Sequence, residues 1–161
     1  MARNQTWMPV EPEAVFAVLA DPYPYADWVV GAHRIRDADP GWPGLGTKLY
    51  HQVGRPPLGT RDFTRVIGVD PPHRLVLDAV ARPFGMARVC LELRARDGGT
   101  LVTFYEDPAG WVKPLRFLPP VQLLTRIRNA ESLRRLERLA LERRSAGAPA
   151  VTWPATTSSS C

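Results

Sequence analysis

Residues 121–144, VQLLTRIRNAESLRRLERLALERR, decide the fold. Leu123, Ile127, Ala130, Leu133, Leu136 and Ala140 recur every three or four positions. That spacing predicts a long helix, beginning near Pro120, with an apolar stripe that must be buried against a second layer. The same stretch holds much of the basic charge of a chain whose net charge is +5 over 161 residues. Its arginines alternate with Glu131, Glu137 and Glu142, the pattern of a solvated helix face. No zinc spacing, helix-turn-helix or aromatic ribonucleoprotein motif accompanies them, so nucleic acid is not an expected partner.

The second layer lies upstream. From residue 33 to 107 apolar and polar residues alternate, broken by the turn signals DPGWPGLG, GRPPLG, DPPH, ARPFG and RDGGT. Strands are predicted near 33–38, 46–53, 59–69, 73–80, 85–95 and 100–107, and their short connections require antiparallel pairing. A further strand, Arg3 to Met8, precedes a helix that starts at Pro12, carries Val15, Phe16, Val18 and Leu19, and stops before Pro22. A second short helix holds Tyr25 and Trp28 and ends at Gly31. This order predicts an α+β fold in which a curved seven-stranded antiparallel sheet wraps one long helix, leaving a cavity between them.

Composition sets the frame. The chain is 45% apolar and 23% charged, ordinary for a globular protein and enough for one domain, taken as residues 1–144. Residues 145–161, SAGAPAVTWPATTSSSC, are small, polar and proline-bearing, and are expected to be a disordered tail. Without a signal-peptide core or an apolar run long enough to span a bilayer, a cytoplasmic protein with no integral membrane association is expected. Cys90 and Cys161 form neither a disulfide framework nor a set with metal-ligand spacing, so thiols in a reducing compartment and no bound metal are expected.

Alternation also assigns faces, because cross-strand partners share one. A Gly98-Gly99 turn in RDGGT pairs Leu93 with Phe104 and Leu91 with Glu106, so the inner face carries Val89, Leu91, Leu93, Ala95, Val102, Phe104 and Glu106. Across GRPPLG, pairing Val53 with Thr60 sets His51 against Asp62 and Leu49 against Thr64, with Lys48, Tyr50, Arg61, Phe63 and Arg65 facing water. The same rule turns in His33, Ile35 and Asp37, and then Leu75, Leu77 and Ala79. An aliphatic wall with a few ionisable groups has the composition of a small-molecule pocket.

His51, Asp62 and Glu106 are the candidate catalytic residues. An Asp62–His51 pair would orient the imidazole as a general base, and a desolvated, protonated Glu106 would donate from the opposite wall. The pair suits proton abstraction beside a carbonyl followed by loss of water, chemistry that requires no cofactor. The alternative is a satisfied internal polar network, or simple anchoring of a ligand. Candidate ligand contacts are Trp28, His33, Ile35, Leu49, Thr64, Leu77, Val89, Leu91, Phe104, Ile127 and Asn129. Trp28 and Tyr25 are placed to close the cavity mouth, with GWVKPLRFLPP, residues 110–120, as a gate.

The segments PEAVFAVLADPYPYADWVVGAHRIRDAD, WPGLGTKLYHQVG, TRDFTRV, PPHRLVLDA, GGTLVTFYEDP and RNAESLRRLERLA, in that order, resemble the START-like (SRPBCC) superfamily. The likeness spans residues 3 to about 142 and is nearest to small bacterial proteins labelled polyketide cyclase/dehydrase or lipid transport. It implies a helix-grip fold around a deep hydrophobic cavity. The expected function is binding of a polyketide or lipid-like molecule, as a cofactor-free cyclase or dehydratase. The alternatives are a non-catalytic carrier or sensor, and an interaction module that uses Arg134 and Arg138. A monomer or homodimer is expected.

Overall fold

The computed structural model describes residues 2–53, 59–82, 85–109, 114 and 117–147. The expected tail from residue 148 and most of the expected gate, residues 110–113, 115 and 116, lie outside the described residues. The order of elements is the predicted one: β1 (Ala2–Met8), α1 (Pro12–Leu19), α2 (Tyr25–Trp28), β2 (Ala32–Ala38), β3 (Lys48–Val53), β4 (Thr60–Asp70), β5 (Arg74–Ala81), β6 (Gly85–Arg96), β7 (Gly99–Ala109) and α3 (Pro119–Ser145). The strands form one antiparallel sheet in the order β1-β7-β6-β5-β4-β3-β2. Its concave face holds α3, and α1 packs between the far end of α3 and the sheet.

The core fills one end of this grip. Phe16 and Leu19 of α1, Leu75, Leu91 and Leu93 of the sheet, and Leu133, Leu136 and Ala140 of α3 are all buried there. Those three helix residues fix the rotation of α3, and the consequence for its first turns departs from expectation. Ile127 lies nine residues before Leu136, which at about 100° per residue puts it on the opposite side of the helix. It is 58% exposed, as are Leu123 and Leu124 to similar degrees. The steps of three in the predicted stripe drift around the helix, so the true inward row in this half runs through Asn129 and Ser132.

Two further differences concern register. The β6–β7 turn is Asp97-Gly98, with Arg96 opposite Gly99, so Leu91 pairs with Phe104 and Val89 with Glu106. Asp97 and Gly98 have φ of 52° and 75°, the left-handed conformation that a two-residue hairpin turn requires. The slip is by two residues, so every side chain keeps its predicted face, although Ala95 lies beyond the core and is exposed. In β2, bulges after Ala32 and after Ile35 reset the alternation, turning Ala32, Ile35 and Ala38 inward and leaving His33 and Asp37 exposed. The β3–β4 register is the predicted one, with Val53 against Thr60 and His51 against Asp62.

On the convex face Tyr50 and Phe63 pair across strands, and Lys48 and Arg65 lie over the Phe63 ring at 5.2 and 5.9 Å. Cys90 is buried on β6. The other cysteine, Cys161, lies outside the described residues.

Gly99 shows how tightly β1 closes over this hairpin. A Cβ there would sit 2.3 Å from the Met8 carbonyl oxygen and 2.8 Å from Trp7 Cζ2. Backbone cannot yield as a side-chain tip does, so Gly99→Ala is expected to lower unfolding free energy by about 2 kcal/mol or more. Urea denaturation checks this, with Thr103→Ser in the same strand as a mild reference.

Candidate functional site

Beyond the core, α3 and the sheet diverge around a cavity of about 250 Å³. Leu77, Val89 and Phe104 supply its sheet wall, Tyr25 and Trp28 one side, and Val121, Asn129 and Ser132 its roof. Small or polar residues at these helix positions leave the volume that leucines would fill. Ser132 also fastens the roof to the side wall, accepting the Val30 backbone N–H at 3.1 Å.

The cavity lining is mainly apolar, and two of its residues carry a buried polar atom with no partner among the described residues. Trp28 is 2% exposed and Asn129 1%, yet neither Trp28 Nε1 nor Asn129 Nδ2 has a hydrogen-bond acceptor. The Asn129 side-chain oxygen is engaged by Arg128 Nη2 at 3.4 Å, which directs the amide N–H₂ away from that group. Arg128 also ion-pairs with Glu106, donating to both carboxylate oxygens. The guanidinium is half exposed and caps the mouth, while Glu106 is buried beneath it.

His51 and Asp62 face inward, as expected, but outside the cavity lining, and they do not hydrogen-bond to each other. Asp62 Oδ2 accepts from Thr60 Oγ1 at 2.7 Å and from the Arg82 backbone N–H at 2.9 Å, and Oδ1 accepts from Arg82 Nε at 2.9 Å. Burial is the largest single influence on this carboxyl and pushes its pKa up. The Thr60 and Arg82 hydrogen bonds and the Arg82 charge together outweigh it and hold the carboxyl below its ordinary value. His51 instead bonds through Nε2 to Thr64 Oγ1 at 3.0 Å, and its Nδ1 is unpartnered among the described residues. Burial chiefly, with the Arg36 charge, lowers the imidazole pKa, and Asp62 opposes them.

The expected ligand contacts therefore divide. Trp28, Leu77, Val89, Phe104 and Asn129 line the cavity together with Glu106. Leu49, Thr64 and Leu91 are buried in the wall behind it, and Ile35 packs against the core from the sheet edge. His33 and Ile127 are exposed and outside the lining, the first turned out by the β2 bulge and the second by the rotation of α3. Glu106 is not a lone acid, because the cation that compensates its burial arrives from α3. Arg128 went unread as a site residue, though a carboxylate in an apolar row demands a cation and α3 had several to offer.

Among the described residues no cluster of His, Cys, Asp or Glu is arranged to hold a metal ion, and no helix is long and apolar enough to cross a membrane. No protein-family model and no curated protein matches the chain. Solved structures do share its fold. Protein NE0264 from Nitrosomonas europaea aligns with a TM-score of 0.68 at 16% identity, over 89% of this chain and 95% of that one. Zhui aromatase/cyclase from Streptomyces sp. R1128 aligns at 0.65 and 16%, over 91% and 96%. Ara h 8.0201 aligns at 0.64 and 16%, over 87% and 96%. The helix-grip architecture implied by the START-like resemblance is thus the observed one, and at these identities the likeness speaks for fold alone.

Asp62 ties the start of β4 to the end of β5, and its removal should appear as lost stability. Asp62→Asn is expected to cost about 1.5–3 kcal/mol at pH 7, since hydrogen bonds to a buried charge are lost. A folded pKa below the unfolded value, about 3.9, makes this stabilisation complete above that value and lost as pH falls through the folded one. Denaturation of both proteins at pH 7 and pH 3 checks the sign: the gap should narrow in acid.

Proposed function

We propose that the protein binds a hydrophobic small molecule in this cavity and holds it by a carbonyl or similar acceptor oxygen. The observation that carries this reading is the pair of buried, unpartnered donors, Trp28 Nε1 and Asn129 Nδ2, on residues that line a mainly apolar chamber. Leaving such groups unsatisfied costs about 1–3 kcal/mol each, a cost that an acceptor on a bound ligand removes. The Glu106–Arg128 pair carries no net charge, so a neutral ligand suits the chamber better than an anion or a cation. A cavity of about 150 Å³ holds benzene, so 250 Å³ suits one or two fused rings with a short polar substituent.

Catalysis by Asp62 and Glu106 is less favoured than binding, because each carboxylate is committed to an arginine. If the protein is a cyclase or dehydratase, the acid-base work falls to groups with no ionic partner. The interaction-module reading is weaker still: Arg134 is bound to Glu131, and Arg138 lies 3.8 Å from Glu142.

Calorimetric titration with 2-acetylnaphthalene and with 2-ethylnaphthalene, of similar shape but lacking the acceptor, tests the reading. The ketone is expected to bind about 5- to 30-fold more tightly, the worth of one or two hydrogen bonds. Trp28→Phe and Asn129→Ala should each reduce that preference while sparing the hydrocarbon. Binding of neither compound, or equal binding of both, contradicts it.

A further inference from the structure

Three buried side chains form a continuous hydrogen-bonded row that starts in the cavity wall and ends behind it. The Tyr25 hydroxyl lies 3.2 Å from Thr64 Oγ1, which lies 3.0 Å from His51 Nε2. The Tyr25 and His51 rings stack with centroids 6.0 Å apart, and Trp28 meets Tyr25 edge-on at 5.3 Å. Tyr25 lines the cavity, and burial chiefly raises its phenol pKa, with the Thr64 hydrogen bond and the Arg128 charge opposing and the Glu106 charge adding to it. Neither Tyr25 nor His51 is engaged in an ion pair among the described residues.

We infer that Tyr25, Thr64 and His51 form a proton relay that acts on a ketone held by Trp28 and Asn129. The inference rests on the binding reading and extends it to catalysis. With His51 neutral and protonated on Nδ1, Nε2 accepts from Thr64 and Thr64 accepts from Tyr25. When a C–H bond beside the ligand carbonyl breaks, its electron pair forms an enolate and its proton goes to the phenol oxygen. The phenol's own proton moves to Thr64, and that of Thr64 moves to His51 Nε2. The products are an enolate and an imidazolium, so charge is conserved and no oxidant, reductant or co-reactant enters.

Each product has a stabilising group in place. The Trp28 and Asn129 N–H groups stand ready for the enolate oxygen, in a chamber where such donors are strengthened by the absence of water. Asp62, directly across from His51 on β4, favours the imidazolium, while Arg36 on β2 and burial disfavour it. Ile35, the β2 partner of His51, adds no charge. Run in reverse, the row protonates an alkoxide formed by carbon–carbon bond closure, or a departing hydroxyl that leaves as water. These are the proton transfers of aldol condensation and dehydration. Tyr25 is the catalytic residue here, and Thr64 and His51 act through it.

Deuterium uptake into the methyl group of 2-acetylnaphthalene in D₂O, followed by proton NMR with binding measured in parallel, tests the relay. The wild type is expected to accelerate uptake at least about 100-fold over buffer, the usual yield of a positioned base. Tyr25→Phe and Thr64→Val should return uptake to the buffer rate with the ketone still bound, and Thr64→Ser should retain most of it. Because the relay needs neutral His51, whose pKa lies below the ordinary imidazole value, uptake should persist at pH 6.5 and fall only in more acidic solution. His51→Gln should abolish that acid limb along with the rate. A ketone that binds but does not exchange, or exchange that survives Tyr25→Phe, overturns the relay alone. A ketone that does not bind overturns the binding reading and the relay with it.

Discussion

Everything in this molecule follows from how α3 is seated. Leu133, Leu136 and Ala140 lock the second half of the helix into a core shared with α1 and the sheet. Helical geometry then leaves the first half no choice of face, and it presents Asn129 and Ser132 to the concave sheet and Leu123, Leu124 and Ile127 to the outside. A leucine at an inward position would fill the grip. Small and polar residues there leave a cavity of about 250 Å³ roofed by hydrogen-bonding groups.

That choice has an electrostatic consequence. An apolar chamber makes each enclosed polar atom expensive unless it is paired, and the polar atoms around this one fall into two kinds. Asp62 and Glu106 are matched with Arg82 and Arg128, and each pair joins two elements of the fold. Trp28 Nε1, Asn129 Nδ2 and His51 Nδ1 are unmatched among the described residues. The matched groups explain why the fold is stable with carboxylates inside it, and the unmatched donors of Trp28 and Asn129, which line the cavity, suit an acceptor brought in from outside. The row from Tyr25 to His51 runs from the cavity wall to the strand that faces Asp62 on β4.

Face assignment was legible in the sequence wherever alternation ran unbroken. It survived even an error in turn placement at residues 96–100, because a slip of two residues leaves parity intact. It failed in β2, where two bulges in seven residues reset the alternation with no glycine to announce them, and His33 was misplaced as a result. The rotation of α3 was misjudged because apolar residues alone defined the stripe, whereas a helix roofing a cavity turns its small and polar side inward. Arg128 was invisible for the opposite reason: in a helix crowded with arginines, nothing local distinguishes the one that reaches back to a buried glutamate. Thr64 was placed on the correct wall, but its link from His51 to Tyr25 depends on the curvature that brings α2 over β4, which spacing does not encode.

The account stands or falls on whether the cavity's unpartnered donors meet a ligand. The chain has five tryptophans, and a ¹H–¹⁵N correlation spectrum resolves their indole N–H groups individually. Titration with 2-acetylnaphthalene should move the Trp28 indole proton downfield, as formation of a hydrogen bond requires, while the exposed Trp7 indole, which already donates to the Arg96 carbonyl at 2.9 Å, stays in place. Saturable binding of the ketone with the Trp28 indole unmoved would contradict the account.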